Sequence, residues 1–434
     1  MSKQIRLGTA ALLAALMISA SLIAGPATTF AQQAAPAASN TRSAAVMAAT
    51  EAVLRETSEL RQLPILRPVK SGAQSRADIE RMIITNMDEN STPAELRAAE
   101  LAMKKLGLVP ATFEFRPFII KLLTEQVAGY YDPKAQQFYL ADWIDLDGQQ
   151  PVMAHELTHA LQDQHFNLRR FEKWPKGDAD AELAAHALVE GDATLAMMDY
   201  MRRDAARTLA FITSMQSRQS SSEQIDSAPR ALRETLLFPY EQGAEWAATL
   251  YRRGGWARIS QAYTDLPQSS EQILHTEKYF AREAPLKIET RDVSSLLGSR
   301  WKRVDYDVNG EWSYYLILDE FLKSATESKR AAAGWGGDRY SVYEGPKPGD
   351  IFIAQLSSWD TETDAVEFFN AYAKRTELRY KDAAPTEHDK TGLMRAWRTG
   401  EGAVVMERRG PRVLIVEGVP ESANIQSLTS ALWK

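Results

Sequence analysis

Two histidines four residues apart, with a glutamate directly after the first, interrupt an otherwise apolar stretch of this chain. The run reads Val152-Met153-Ala154-His155-Glu156-Leu157-Thr158-His159-Ala160-Leu161. In a helix, residues at that spacing lie about 40° apart around the axis and about 6 Å along it, so both imidazoles share one face. The flanking apolar residues demand that this helix be buried, and an unliganded polar pair beside such a face is costly. Two neutral imidazoles converging there suit Zn²⁺, with Glu156 placed beside the ion as a base. Only six histidines occur in the 434 residues, and four of them (His155, His159, His165, His186) fall in one short segment. The pattern predicts a metal-bearing helix over about 149–165.

A catalytic zinc site takes three protein ligands and leaves the fourth position to water. Three residues compete for the third place. His165 stands ten residues after His155, but Gln162 occupies the midpoint where a chain-turning glycine is needed. The helix therefore continues, and His165 is expected to point away. Glu190 lies in Leu188-Val189-Glu190-Gly191-Asp192-Ala193, on a second long helix expected from about Asp178 to Arg207. There Gly191 is the small residue expected to let that helix approach the first. His186 is one turn earlier on the same face. Glu190 is the reading taken, with the two histidines as alternatives.

A chain of this length is expected to fold as two units beyond any leader. Hydrophobic content of 44% with 25% charged residues is that of a globular protein, and the net charge of −6 gives no electrostatic reason to expect nucleic acid or an anionic membrane. Lys3 and Arg6 precede an apolar run from Leu7 to Ala24, then Gly25-Pro26, with small residues up to Ala31. Residues 1–31 read as a secretory signal peptide cleaved after Ala31, with an uncleaved anchor as the alternative. No later segment is apolar enough to span a bilayer, so no membrane span is expected after cleavage. With no cysteine there is no lipobox, disulfide or thiolate ligand. A secreted or periplasmic location is expected. Oligomeric state is not legible.

The fold class expected is α+β. Residues 32–63 form a flexible leader and an N-terminal helix, either a propeptide or a docking helix. Residues 64–334 form a mainly helical catalytic domain with a small sheet, and 335–434 a small α+β domain. Within the first, Ile65–Lys70 is a strand candidate, followed by helices near 76–88, 93–106 and 114–127. A hairpin then surrounds Asp132-Pro133, and Gly254-Gly255 breaks the helices of 230–263. Strand Gln137–Leu140 is read either as the edge strand that pairs with extended substrate or as a plain buried strand.

The stretch Val152–Asp163 resembles the active-site helix of thermolysin-type gluzincin metallopeptidases. Together with Val189–Thr194, Gly129-Tyr130-Tyr131-Asp132-Pro133 and Glu271–Tyr279, it is similar to exported bacterial zincin-like proteins of the peptidase MA-like group. The resemblance spans about 120–280. It implies a zincin-like fold, His155, His159 and Glu190 as zinc ligands, Glu156 as catalytic base, and a polypeptide substrate. Thr194 stands where such enzymes carry an aspartate that orients a ligand histidine, so Thr194, Asp192 or Asp163 would take that role. The oxyanion needs a donor besides zinc, and His275 and Tyr279 are the candidates, with Tyr240 behind them. The expectation is a zinc-dependent peptidase. The alternative is a catalytically idle zincin-fold protein that binds peptides or serves envelope assembly.

Overall fold

The computed structural model describes residues 36–434 apart from 145, 173, 219–226 and 389–391. The expected signal peptide at 1–31 lies outside the described residues, as does much of the expected loop at 217–230. The chain is α+β, with two sheets among helices.

Helix α1 (Pro36–Arg61) docks Val46, Val53, Leu54 and Leu60 onto the small sheet and the histidine-bearing helix. Burial of that many aliphatic side chains makes it part of the core. The small sheet has order β1-β3-β2, with β1 Lys70–Gln74, β2 Gly129–Asp132 and β3 Gln137–Ala141. One expectation changes here. The strand expected at Ile65–Lys70 forms at Lys70–Gln74, because parallel pairing with β3 decides it rather than side-chain hydrophobicity; Leu66 stays exposed. Of the two readings of strand β3, the buried one holds: it is central and paired on both sides, so it has no open edge to offer a substrate.

Helices α2 (Arg76–Asn90) and α3 (Pro93–Leu106) both open on capping boxes, Ser75 with Asp78 and Thr92 with Glu95. After α4 (Phe115–Gln126) and the hairpin comes α5 (Gln150–Phe166), the histidine-bearing helix, buried from Pro151 to Asp163. The expected helix 178–207 is two helices, α6 (Ala179–Arg202) and α7 (Ala205–Arg218). Next is α8 (Arg230–Ala262), kinked where Gly254 and Gly255 leave helical geometry. The glycine expected to admit α5 serves α8 instead. A Cβ on Gly191 would meet the backbone of Gly243 at 2.2 Å, and one on Gly243 would meet the Ala187 carbonyl oxygen at 2.3 Å.

Beyond α8, short helices α9 (Ser270–Leu274), α10 (Thr276–Ala281) and α11 (Ser294–Leu297) lead to a seven-stranded antiparallel sheet of order β4-β5-β6-β10-β9-β8-β7. Its strands are β4 Lys302–Asp307, β5 Trp335–Glu344, β6 Ile351–Trp359, β7 Ala384–His388, β8 Met394–Thr399, β9 Gly402–Arg409 and β10 Arg412–Val419. Strand β4 lies ahead of the boundary expected at 334/335. Its sequence, Lys-Arg-Val-Asp-Tyr-Asp, is too charged to be read as a strand until β5 pairs with it. Helices α12 (Gly310–Leu322), α13 (Ala325–Ala332) and α14 (Glu362–Arg379) join the large core on one face. Ile288, Val293 and Leu297, with Leu428 and Leu432 of α15 (Ile425–Leu432), pack on the other.

Candidate metal centre

Helices α5 and α6 bring His155, His159 and Glu190 together, all three buried. His155 Nε2 lies 3.0 Å from His159 Nε2 and 3.1 Å from Glu190 Oε2; His159 Nε2 is 3.3 Å from the same oxygen. Ligand atoms about 2.0–2.1 Å from a tetrahedral ion stand about 3.3–3.4 Å apart. The trio is therefore close to the spacing a Zn²⁺ needs, and its N,N,O donor set suits that ion.

Without an ion the site balances its own charges. Burial pushes the His155 imidazole down to about 4, so it is neutral. Burial opposes charge on His159 and Glu190 as well, but each offsets it with the other's opposite charge. His159 is held above the ordinary histidine value and Glu190 below the usual carboxylate range. Burial lifts Glu156 to about 8, where a carboxyl can both take and give a proton near neutrality. Its Oε2 accepts the Tyr131 backbone N–H at 3.0 Å, which ties the motif to β2.

The residue that orients a ligand imidazole is one the sequence offered only as a helix continuation. His159 Nδ1 lies 2.8 Å from Gln162 Oε1, while Gln162 Nε2 donates to Val189 O (3.0 Å) and Asp192 Oδ2 (2.9 Å). Because the Gln162 amide donates both its hydrogens to oxygens, its Oε1 must accept, so His159 carries its proton on Nδ1. With one proton held on Nδ1, it is the Nε2 proton of the charged imidazolium that an ion would displace, which turns that lone pair to the cluster. The signal available in the sequence was the i,i+3 spacing of His159 and Gln162. Among the described residues neither Thr194 Oγ1 nor His155 Nδ1, both buried, has a hydrogen-bond partner. Thr194 thus does not take the aspartate's orienting role. Asp163 is engaged elsewhere, by Arg67, Tyr131 and the Leu168 amide.

The remaining candidates separate. His165 donates to Pro64 O at 2.8 Å and stays outside the cluster. His275 is not brought to the site: it joins α9 to α10, and Glu311 Oε1 accepts its Nε2–H at 2.9 Å. The reason is that its segment folds against the C-terminal half. Lys278 pins it there, with Glu271, Glu283 and Asp360 carboxylates at 2.6–2.7 Å. These three form the other acidic group among the described residues close enough to hold an ion, but the Lys278 ammonium binds them all. Tyr279 is buried and donates to Asp265 O. Tyr240 packs its ring 6.0 Å from that of His155.

A cleft opens over the cluster, lined by Glu156, His159 and Glu190 with apolar Leu168, Phe171 and Val189. His186 lines it too. Burial holds this imidazole down to about 4 and therefore neutral, and its enclosed Nδ1 has no partner among the described residues, leaving Nε2 for the cleft.

Comparison with known proteins adds one finding. A family profile described as "Domain of unknown function (DUF8575)" matches residues 297–429, the stretch of the seven-stranded sheet. No curated protein and no solved structure matches the chain.

Proposed function

We propose that the protein is a zinc-dependent peptidase of gluzincin type, with a zincin-like catalytic half, acting on polypeptides outside the cytoplasm. The observation that carries this reading is the convergence of His155, His159 and Glu190 within 3.3 Å, with Glu156 in the same cleft. His155, His159 and Glu190 would hold the ion. Zinc supplies a Lewis acid that polarises water and the substrate carbonyl when bound. A purely structural site would have no use for a buried carboxyl of raised pKa beside it. Glu156, through Oε1, the oxygen not engaged by Tyr131, takes the proton of the attacking water. It then delivers that proton to the leaving amine nitrogen. Oxyanion donation, expected of His275, falls to His186, whose neutral imidazole would donate from Nε2 into the cleft. The apolar wall of Leu168, Phe171 and Val189 excludes water from the reacting bond.

Zinc-loaded protein incubated with denatured casein is expected to cleave it, and Glu156→Gln to keep its zinc while losing at least about 10³-fold in rate. Wild type and Glu156→Gln equally inert, with zinc bound in both, would favour the idle peptide-binding alternative instead.

A further inference from the structure

Outside the motif, an unbroken chain of buried hydrogen bonds runs from His159 to the N-terminal helix. Gln162 bridges His159 Nδ1 and Asp192 Oδ2. Asp192 is wholly buried and takes a two-point contact from Arg61, Nε to Oδ1 at 2.5 Å and Nη2 to Oδ2 at 3.0 Å. Tyr263 Oη donates to the same Oδ2 at 2.9 Å. Arg61 is itself fully buried at the last turn of α1, bonded to Ser260 Oγ at 3.2 Å and lying 4.8 Å from the Trp256 ring centroid. A buried bidentate pair of this kind is costly to form, and an apolar pair would pack as well. Its retention asks for a role beyond holding a helix down.

We infer that Arg61 is a positioning residue for the metal centre, acting through Asp192 and Gln162 on His159, so that α1 is a working part of the site. The inference rests on the zinc reading above. The chemistry is a matter of direction. Arg61 spreads its fork over both oxygens of Asp192 and so fixes Oδ2 where it accepts one Gln162 amide hydrogen, the other going to Val189 O. That fixes Gln162 with Oε1 toward His159, and Oε1 in turn holds the imidazole proton on Nδ1. Without Arg61, Asp192 loses the counter-charge that fixes its place, and Val189 O is left as the main hold against the amide flipping. A flipped amide sets N–H against N–H at His159 and drives its proton to Nε2, the atom a metal must bind.

The test is zinc affinity by chelator competition, with the visible absorption of the cobalt(II)-substituted protein, on full-length wild type, Arg61→Met, Gln162→Met and the double variant. Arg61→Met is expected to weaken zinc by roughly 10–100-fold and to shift the cobalt bands, as Gln162→Met does. In the Gln162→Met background the Arg61 substitution should add little, because its effect passes through the missing amide. Arg61→Lys, which keeps the charge, should recover part of the affinity. A melting temperature lowered by Arg61→Met with wild-type zinc affinity and cobalt spectrum would overturn the inference and leave α1 a packing element. Additive effects in the double variant would overturn it too. If wild type takes up neither metal, the zinc reading itself fails, an outcome distinct from the other two.

Discussion

At the residue scale, the buried atoms that lack partners carry the sharpest consequences. His186 Nδ1 sits enclosed with no partner among the described residues, an arrangement that costs about 1–3 kcal/mol. A leucine of similar volume would remove that cost. His186→Leu is therefore expected to gain about 1 kcal/mol in urea unfolding, keep its zinc, and lose roughly 10²-fold in casein hydrolysis. A stabilised variant with full activity would leave the imidazole without the oxyanion role. Glu156 and His186 share a cleft, yet burial pushes their pKa values in opposite directions, about 8 for the acid and about 4 for the imidazole. Both are thus neutral at pH 7 before metal enters, which suits a proton acceptor awaiting a charged neighbour and a donor that must not become a cation.

At the element scale, α6 is the part on which the site depends. It carries His186 and Glu190 on successive turns, with Asp192 two residues beyond, and touches α8 backbone to backbone at Gly191 and Gly243. An alanine at 191 would drive its Cβ into the Gly243 carbonyl, with no flexible side chain to yield. Gly191→Ala should cost about 3 kcal/mol or more in chemical denaturation and weaken zinc as well, since Glu190 must shift with it. Much of this architecture was legible beforehand. The four-residue spacing of His155 and His159 needs only helix geometry to be read, and the Asp132-Pro133 hairpin and the Gly254-Gly255 break are local chemistry. What escaped was set by partners distant in sequence. Lys70–Gln74 and Lys302–Asp307 are polar and become strands because β3 and β5 present open edges. Gln137–Leu140 stayed open between edge and buried strand because its neighbour β1 lies more than sixty residues upstream. The place of His275 depends on Glu311 and on Lys278 reaching Asp360, contacts no window of sequence contains. Gly191 was recognised as a point of close approach, but which helix approaches is a tertiary fact.

At the scale of the whole molecule, the two halves meet across buried carboxyls. Burial lifts Glu182 of α6 to about 8, with the Asp307 charge adding to it, and lifts Asp307 of β4 to about 7, with the Asp305 charge adding to it. Asp307 also accepts the Ala179 amide at 2.7 Å, tying the start of α6 to the sheet. Because both folded values lie above the unfolded ones of about 4, the native state holds more protons through that window. Stability is then greatest below about pH 4 for these two groups and falls as pH rises toward 8. Metal-free protein is expected to lose at least about 1 kcal/mol between pH 5 and pH 8, and Glu182→Gln to flatten that slope, both read from urea midpoints. A slope unchanged by Glu182→Gln would place the titrating group elsewhere. The seven-stranded sheet adds a constraint of timing. Its latest strand in chain order, β10, is flanked on both sides, by β6 and β9. A ribosome or a translocation channel delivering this chain must release residue 419 before the two wings of the sheet can be joined. Until then six strands wait as separate ribbons with unsatisfied edges, the interval in which a holdase has most to protect.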